Sequence, residues 1–238
     1  MFPEKFRMDG KVALITGAGR GIGLGMAEAL ASAGCAIAIQ DIEKKIAEQA
    51  AEKIRALGVK SIALGGDISD LSLPEKLIAQ TRRQLGGFHV LINNAAIQSV
   101  QKNWEKFPRQ RIELEFRADI IAPILLCQQA AKIFRKQKWG RIINMGSIQG
   151  RSGTTIMLPY SLTKAAIEKL SSALAKDLAK DGITINTISP GWFNTWRNRA
   201  TLGDPRKRRI RGKRVPMGRI GEPRDCAGVT LLLCSDAG

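Results

Sequence analysis

Apolar residues in this chain come in short blocks, each followed by a stretch with helical periodicity. Val12-Ala13-Leu14-Ile15 is a continuous apolar run, the mark of a strand covered on both faces. Behind it Leu24, Ala27, Leu30 and Ala31 recur on one helical face, up to Gly34. The alternation then repeats. Further strands are predicted over 35–40, 61–64, 90–92, 141–145 and 183–188. Helices are predicted over 42–57 with Gly58 as the stop, 73–85 with Pro74 in the first turn, 108–136, 160–180 and 223–233. Pro123 falls inside the long helix and should bend or locally unpair it. Strands alternating with helices at this spacing predict an α/β fold: one doubly wound parallel sheet with helices on both faces. A single domain spans 1–238, with a basic, irregular segment at 192–220. The strands end at Gly17, Asp41, Asp67, Asn93, Ser147 and Pro190, all small or polar. That carboxyl edge is where an open α/β sheet binds ligands.

Composition narrows the chemistry. The 238 residues are 44% hydrophobic and include 24 glycines, enough for a large core with many tight turns. Cys35, Cys127, Cys226 and Cys234 form no Cys-x-x-Cys pair and read as reduced thiols of a cytoplasmic protein. Residues 1–10 lack the apolar core of a signal peptide, and no apolar run is long enough for a membrane span. The single histidine, His89, leaves no His-rich metal site, so no metal is expected; it reads as structural. A net charge of +17 points to anionic partners.

Three stretches carry chemistry. Gly17, Gly21 and Gly23 follow a strand and open a helix, a turn that lets backbone approach a pyrophosphate at the positive helix end. No Gly-Lys-Ser/Thr is present, which excludes a P-loop. Asp41 ends the second strand, 18 residues beyond Gly23. A carboxylate there accepts from a ribose 2′-hydroxyl and repels a 2′-phosphate, which favours NAD over NADP. Asp41 is also a candidate helix N-cap, and Arg20 in the loop argues mildly for NADP. Finally, Tyr160 and Lys164 stand four apart, one above the other on a helix. A phenol has an ordinary pKa of about 10, and a neighbouring ammonium favours the phenolate, so the pair reads as a general acid/base.

Thr16-Gly17-x-x-x-Gly21-Ile22-Gly23, Asn93-Asn94-Ala95, Ser147, Tyr160-x-x-x-Lys164 and Pro190-Gly191 together resemble the short-chain dehydrogenase/reductase family. The resemblance covers 11–238. It implies a Rossmann-type fold and hydride transfer between a nicotinamide cofactor and a secondary alcohol or ketone: a polyol, a sugar acid, a hydroxysteroid-like alcohol or a 3-oxoacyl thioester. By the same resemblance Tyr160 is the acid/base, Lys164 supports it and holds the nicotinamide ribose, and Ser147 orients the substrate oxygen. Asp67 and Ile68 would contact adenine, Asn93 and Ala95 would line the cofactor, and Thr195 would bind the carboxamide. The glycine turn with Arg20 and Ile22, and Pro190 with Gly191, complete the implied cofactor site. Asp119 stands where the family usually has a catalytic asparagine, and Ala96 replaces a usual glycine. A cofactor-binding module without turnover is the alternative, with Asp119 as its motive.

Between Trp192 and Arg224 eleven basic residues face only Asp204 and Glu222. By resemblance this segment is the substrate lid, with Arg197 and Arg199 facing a small-molecule substrate that an anionic group would suit. It has no helix-turn-helix, zinc-finger or aromatic RNA-binding pattern, so no nucleic-acid partner is expected. A homotetramer or homodimer is expected by resemblance.

Overall fold

A computed structural model describes residues 2–238; Met1, part of the stretch read as lacking a signal peptide, lies outside the described residues. The chain alternates β1 (Val12–Ile15), α1 (Gly21–Ser32), β2 (Ala36–Asp41), α2 (Lys44–Arg55), β3 (Ser61–Gly65), α3 (Leu73–Leu85) and β4 (Val90–Asn93). It continues through α4 (Arg109–Phe116), α5 (Ala122–Gln137), β5 (Gly140–Met145), α6 (Gln149–Ser152), α7 (Leu158–Leu178) and β6 (Ile183–Ile188). The last part holds α8 (Arg199–Leu202), α9 (Pro205–Gly212) and α10 (Ala227–Cys234).

Among the described residues six strands form one sheet in the order β3-β2-β1-β4-β5-β6, every pair parallel. Parallel strands need helical crossovers, so helices cover both faces and two apolar cores form. One packs Ile15, Met26, Leu30, Ile37 and Ile143 beneath α1 and α10. The other packs Leu14, Leu77, Leu91, Leu126 and Phe134 beneath α3 and α5. Strand order reverses between β1 and β4, which opens a crevice at their carboxyl ends.

Three expectations change. The second helix starts at Lys44 rather than at 42, with Glu43 at its N-cap position. The Asp41 carboxylate takes the Glu43 N–H at 3.2 Å and so forms a turn before the helix; it is not the N-cap. The long 108–136 helix is interrupted by a π segment, Arg117–Ile121, as Pro123 led us to expect. Proline has no N–H for the Asp119 carbonyl one turn back, and the chain widens to re-pair its neighbours. The basic segment is also more ordered than "irregular". Asp204 accepts the Arg206 N–H at 2.8 Å and Pro205 takes the first turn, which starts α9.

Candidate active site

The glycine turn is built against β4. Gly17 sits at φ +61°, and a Cβ there would fall 2.8 Å from the Ala95 Cα, so only glycine fits without displacement. A Cβ on Gly23 would fall 2.5 Å from Asn94 Nδ2 and 2.8 Å from the Gly17 carbonyl. Asn94 is the clasp: its Nδ2 donates to the carbonyls of Thr16 and Gly17, both at 2.9 Å. The Thr16 hydroxyl in turn accepts from the N–H groups of Asn94 and Ala95. Gln40, buried, accepts the Gly17 N–H and donates to the Gly66 carbonyl. The turn is thus held open at the mouth of α1, a cradle that fits the pyrophosphate of a dinucleotide.

A cleft of about 550 Å³ runs along this edge. Gly17, Arg20, Gly21, Ile22 and Gly23 line one end, followed by Asp41, Asp67 and Ile68. Ala95, Ser147, Tyr160, Lys164, Pro190 and Gly191 also line the cleft, and Thr195 does so beside the glycine turn, its Cγ2 3.5 Å from where a Cβ on Gly21 would stand. Asn93 does not belong to this wall. Its side chain is buried and donates to Asn144 Oδ1 at 2.8 Å, because successive strand residues point to opposite faces and Asn94 takes the cleft side. Asn144 continues this chain to the Ser171 hydroxyl on α7, which also accepts from Thr187 on β6. The network ties the Tyr160 helix to two strands.

Asp41 is buried and already accepts the Gly19 N–H at 3.2 Å beside its bond to Glu43. Arg20 forms an ion pair with Glu43 at 2.5 Å, and its guanidinium stands 4.0 Å from the centre of the Trp196 ring. The arginine that argued for NADP is therefore engaged by a carboxylate. The Asp67 carboxylate is fixed by Ser69, through backbone N–H and hydroxyl.

Ser147, Tyr160 and Lys164 converge because α6 lies tightly on α7. A Cβ on Gly150 would fall 2.8 Å from the Lys164 carbonyl carbon, so glycine allows that approach. The Ser147 oxygen accepts the Gln149 N–H at 3.1 Å, which leaves its proton free to donate into the cleft. Among the described residues the Tyr160 hydroxyl bonds no protein group, while Lys164 Nζ stands 5.5 Å from its ring centre. That ammonium is buried and donates to the Met145 carbonyl at 2.9 Å. Asp119 Oδ2 lies 3.9 Å behind it, Thr163 donates to the same carboxylate at 3.3 Å, and Asp119 Oδ1 accepts the Ile97 N–H at 2.8 Å. Burial pushes the Asp119 pKa up, against the opposing pull of the Lys164 charge. Asp119 is a neighbour of Lys164 and lies off the cleft wall.

Arg197 reaches the cleft and donates through Nη2 to the Ala96 carbonyl at 2.7 Å. Arg199 does not; it stacks 4.5 Å from the centre of the Trp196 ring, outside the wall. His89 accepts the Val12 N–H through Nδ1, and burial lowers its pKa, so it is a neutral structural imidazole. All four cysteines are free and buried, and burial raises the Cys35 and Cys127 thiols to about 12, too high for a nucleophile. Sequence reasoning missed Asn94, Gln40, Gln149 and Arg111 as wall or clasp residues. For Asn94 the signal was present, in the strand alternation at Asn93-Asn94.

A family model described as enoyl-(acyl carrier protein) reductase matches residues 17–238. The chain is 32% identical over 233 residues to a 3-oxoacyl-[acyl-carrier-protein] reductase of Aquifex aeolicus, covering 98% of this chain and 93% of the relative. It is 31% identical over 234 residues to the 5-keto-D-gluconate 5-reductase of Escherichia coli K12, covering 98% and 92%. The crystal structure of a gluconate 5-dehydrogenase from Burkholderia cenocepacia, in complex with NADP and tartrate, superposes with a TM-score of 0.91 at 32% identity, covering 100% of this chain and 92% of that one.

Proposed function

The chain belongs to the short-chain dehydrogenase/reductase family of oxidoreductases, and from that premise we propose that it interconverts a secondary alcohol and its ketone with NAD, using Tyr160 as acid/base. A nicotinamide bound along the cleft would accept hydride from the carbinol carbon. The observation that carries the reading is the buried Lys164 ammonium, one turn from a Tyr160 hydroxyl that opens to the cleft beside Ser147. In the oxidative direction the Tyr160 phenolate takes the hydroxyl proton as the carbonyl forms; in reduction it returns it. The Ser147 hydroxyl donates to the oxygen on which negative charge develops. Lys164 places its ammonium one turn from Tyr160 and is itself held by the Met145 carbonyl. Asp119 fixes the Ile97 loop and faces the ammonium from behind.

The preference for NAD over NADP rests on Asp41 at the end of β2 and on Arg20 being paired to Glu43. The four buried thiols suit a reducing, cytoplasmic compartment. No helix among the described residues is long and apolar enough to cross a membrane. Leu162 on α7 is 51% exposed and Ile121 in the π segment 38%, an apolar surface suited to a second copy of the chain. A binding module without turnover fits less well, since the hydroxyl pair and the ammonium are all retained. The test is Tyr160→Phe. It is expected to cut turnover by about 10²-fold or more, in line with loss of a general acid/base, and to leave the Kd for NADH within a few-fold. Unchanged turnover would remove Tyr160 from the mechanism, and tighter binding of NADPH than NADH would reverse the cofactor assignment.

A further inference from the structure

The two ends of the cleft differ in charge. Where the adenosine would lie the wall carries Asp41 and Asp67, and its one cation, Arg20, is paired to Glu43. Beyond Tyr160 the wall carries Arg111 from α4 and Arg197 from the lid, and no carboxylate. Neither guanidinium has an ion pair among the described residues. Arg197 spends one nitrogen on the Ala96 carbonyl, which fixes its position, and the Arg111 side chain makes no hydrogen bond among the described residues. Glu115 and Asp119 are buried off this wall, and each is engaged by a backbone N–H of the loop after β4, at Ser99 and Ile97. A second, separate observation lies beside Ser147. The Oε1 atom of Gln149 is buried at the cleft wall and has no donor among the described residues. Of the buried side-chain atoms without a partner among the described residues, it is the one whose residue lines this cleft.

We infer that the substrate is a hydroxy or oxo acid whose carboxylate is held by Arg111 and Arg197, with a hydroxyl of its chain donated to Gln149 Oε1. This deepens the alcohol/ketone reading and rests on it for the position of the reacting carbon. The guanidinium fork matches the two oxygens of a carboxylate. A neutral polyol would satisfy Gln149 and leave both arginines without an anion. A 3-oxoacyl thioester would lay a neutral acyl chain against two cations.

The experiment uses matched pairs that differ in charge: gluconate with glucitol, and tartrate with threitol. Each is titrated calorimetrically into the full chain saturated with NADH, and turnover of each pair is followed with NAD(H). The acid of a pair is expected to bind at least about tenfold more tightly than its neutral partner, the worth of one charge-assisted hydrogen bond. Arg111→Ala should erase most of that ratio, chiefly through KM rather than kcat, and Arg111→Lys should recover part of it. Because Arg111 has no hydrogen bond or ion pair among the described residues, its removal should change the melting temperature far less than it changes the acid-to-neutral binding ratio. Equal binding within both pairs would overturn the inference, as would a ratio that survives Arg111→Ala. Tighter binding of 6-phosphogluconate than gluconate would overturn the carboxylate in favour of a phosphate. Acid-selective binding without turnover would support the clamp while counting against the hydride-transfer reading, so the two failures are distinct.

Discussion

Glu115 shows how one residue couples burial to charge. It is fully buried on α4, its Oε1 accepts the Ser99 N–H at 2.8 Å, and its Oε2 has no partner among the described residues. With Asp119, one turn on, it holds alternate backbone N–H groups of the loop after β4, at Ile97 and Ser99. Burial raises its pKa, aided by the Asp119 charge and opposed by the Ser99 bonds and Arg111. A raised carboxyl pKa means the folded state binds more protons than the unfolded chain, whose glutamates titrate near about 4.3. Stability is therefore lost as pH rises from that value through the folded pKa. Glu115→Gln keeps the acceptor and removes the ionisation. The melting-temperature difference, variant minus parent, is expected to be more positive at pH 8 than at pH 5. A pH-independent difference would show that Glu115 does not titrate in that window.

The decisive element is the strand–turn–helix of β1 and α1, because its packing leaves no spare volume. The Gly23 position faces both the Asn94 clasp and the Gly17 carbonyl. Gly23→Ala must displace one of them, at a cost of about 1–3 kcal/mol typical of overpacking. The expected result is a lower melting temperature together with an NADH affinity reduced by about tenfold or more, since the same clasp holds the pyrophosphate cradle open. Loss of stability with unaltered NADH affinity would separate the clasp from the cofactor site. Some element boundaries were legible where glycine or proline ended a pattern. Pro74 and Gly182 mark them, and 73–85 and 183–188 match in full, whereas α2 ends at Arg55, ahead of the expected stop at Gly58. The start of α2 was not legible, because the Asp41 side chain engages Glu43 and delays the helix.

At the scale of the whole molecule, the sheet gathers residues from all six strand ends into one cleft, and the outer helices leave apolar surface behind. Leu162 on α7, Ile121 in the π segment and Ile112 on α4 are all exposed. A second copy covering that surface would remove it from water. Light scattering is expected to give a mass two or four times the 25.9 kDa of one chain, and Leu162→Lys to shift it towards the monomer. A monomeric parent at micromolar concentration would rule this surface out as a stable interface.

Strand and helix alternation, the glycine turn and the Tyr160–Lys164 spacing were set by the sequence, because each depends on residues within one or two turns of one another. The position of Asn94 opposite Asn93 follows from the same local rule, once the strand is known. What only the tertiary structure decided are the meetings between distant residues. Arg111 joins Arg197 on one wall, Gln40 reaches the Gly17 turn, and Asn93 links through Asn144 to the Tyr160 helix. It also decided the separation of neighbours: Arg197 faces the cleft while Arg199, two residues on, stacks on Trp196. The physical reason is that local periodicity orients a side chain on its own element, whereas strand order and the reversal between β1 and β4 determine which elements share an edge.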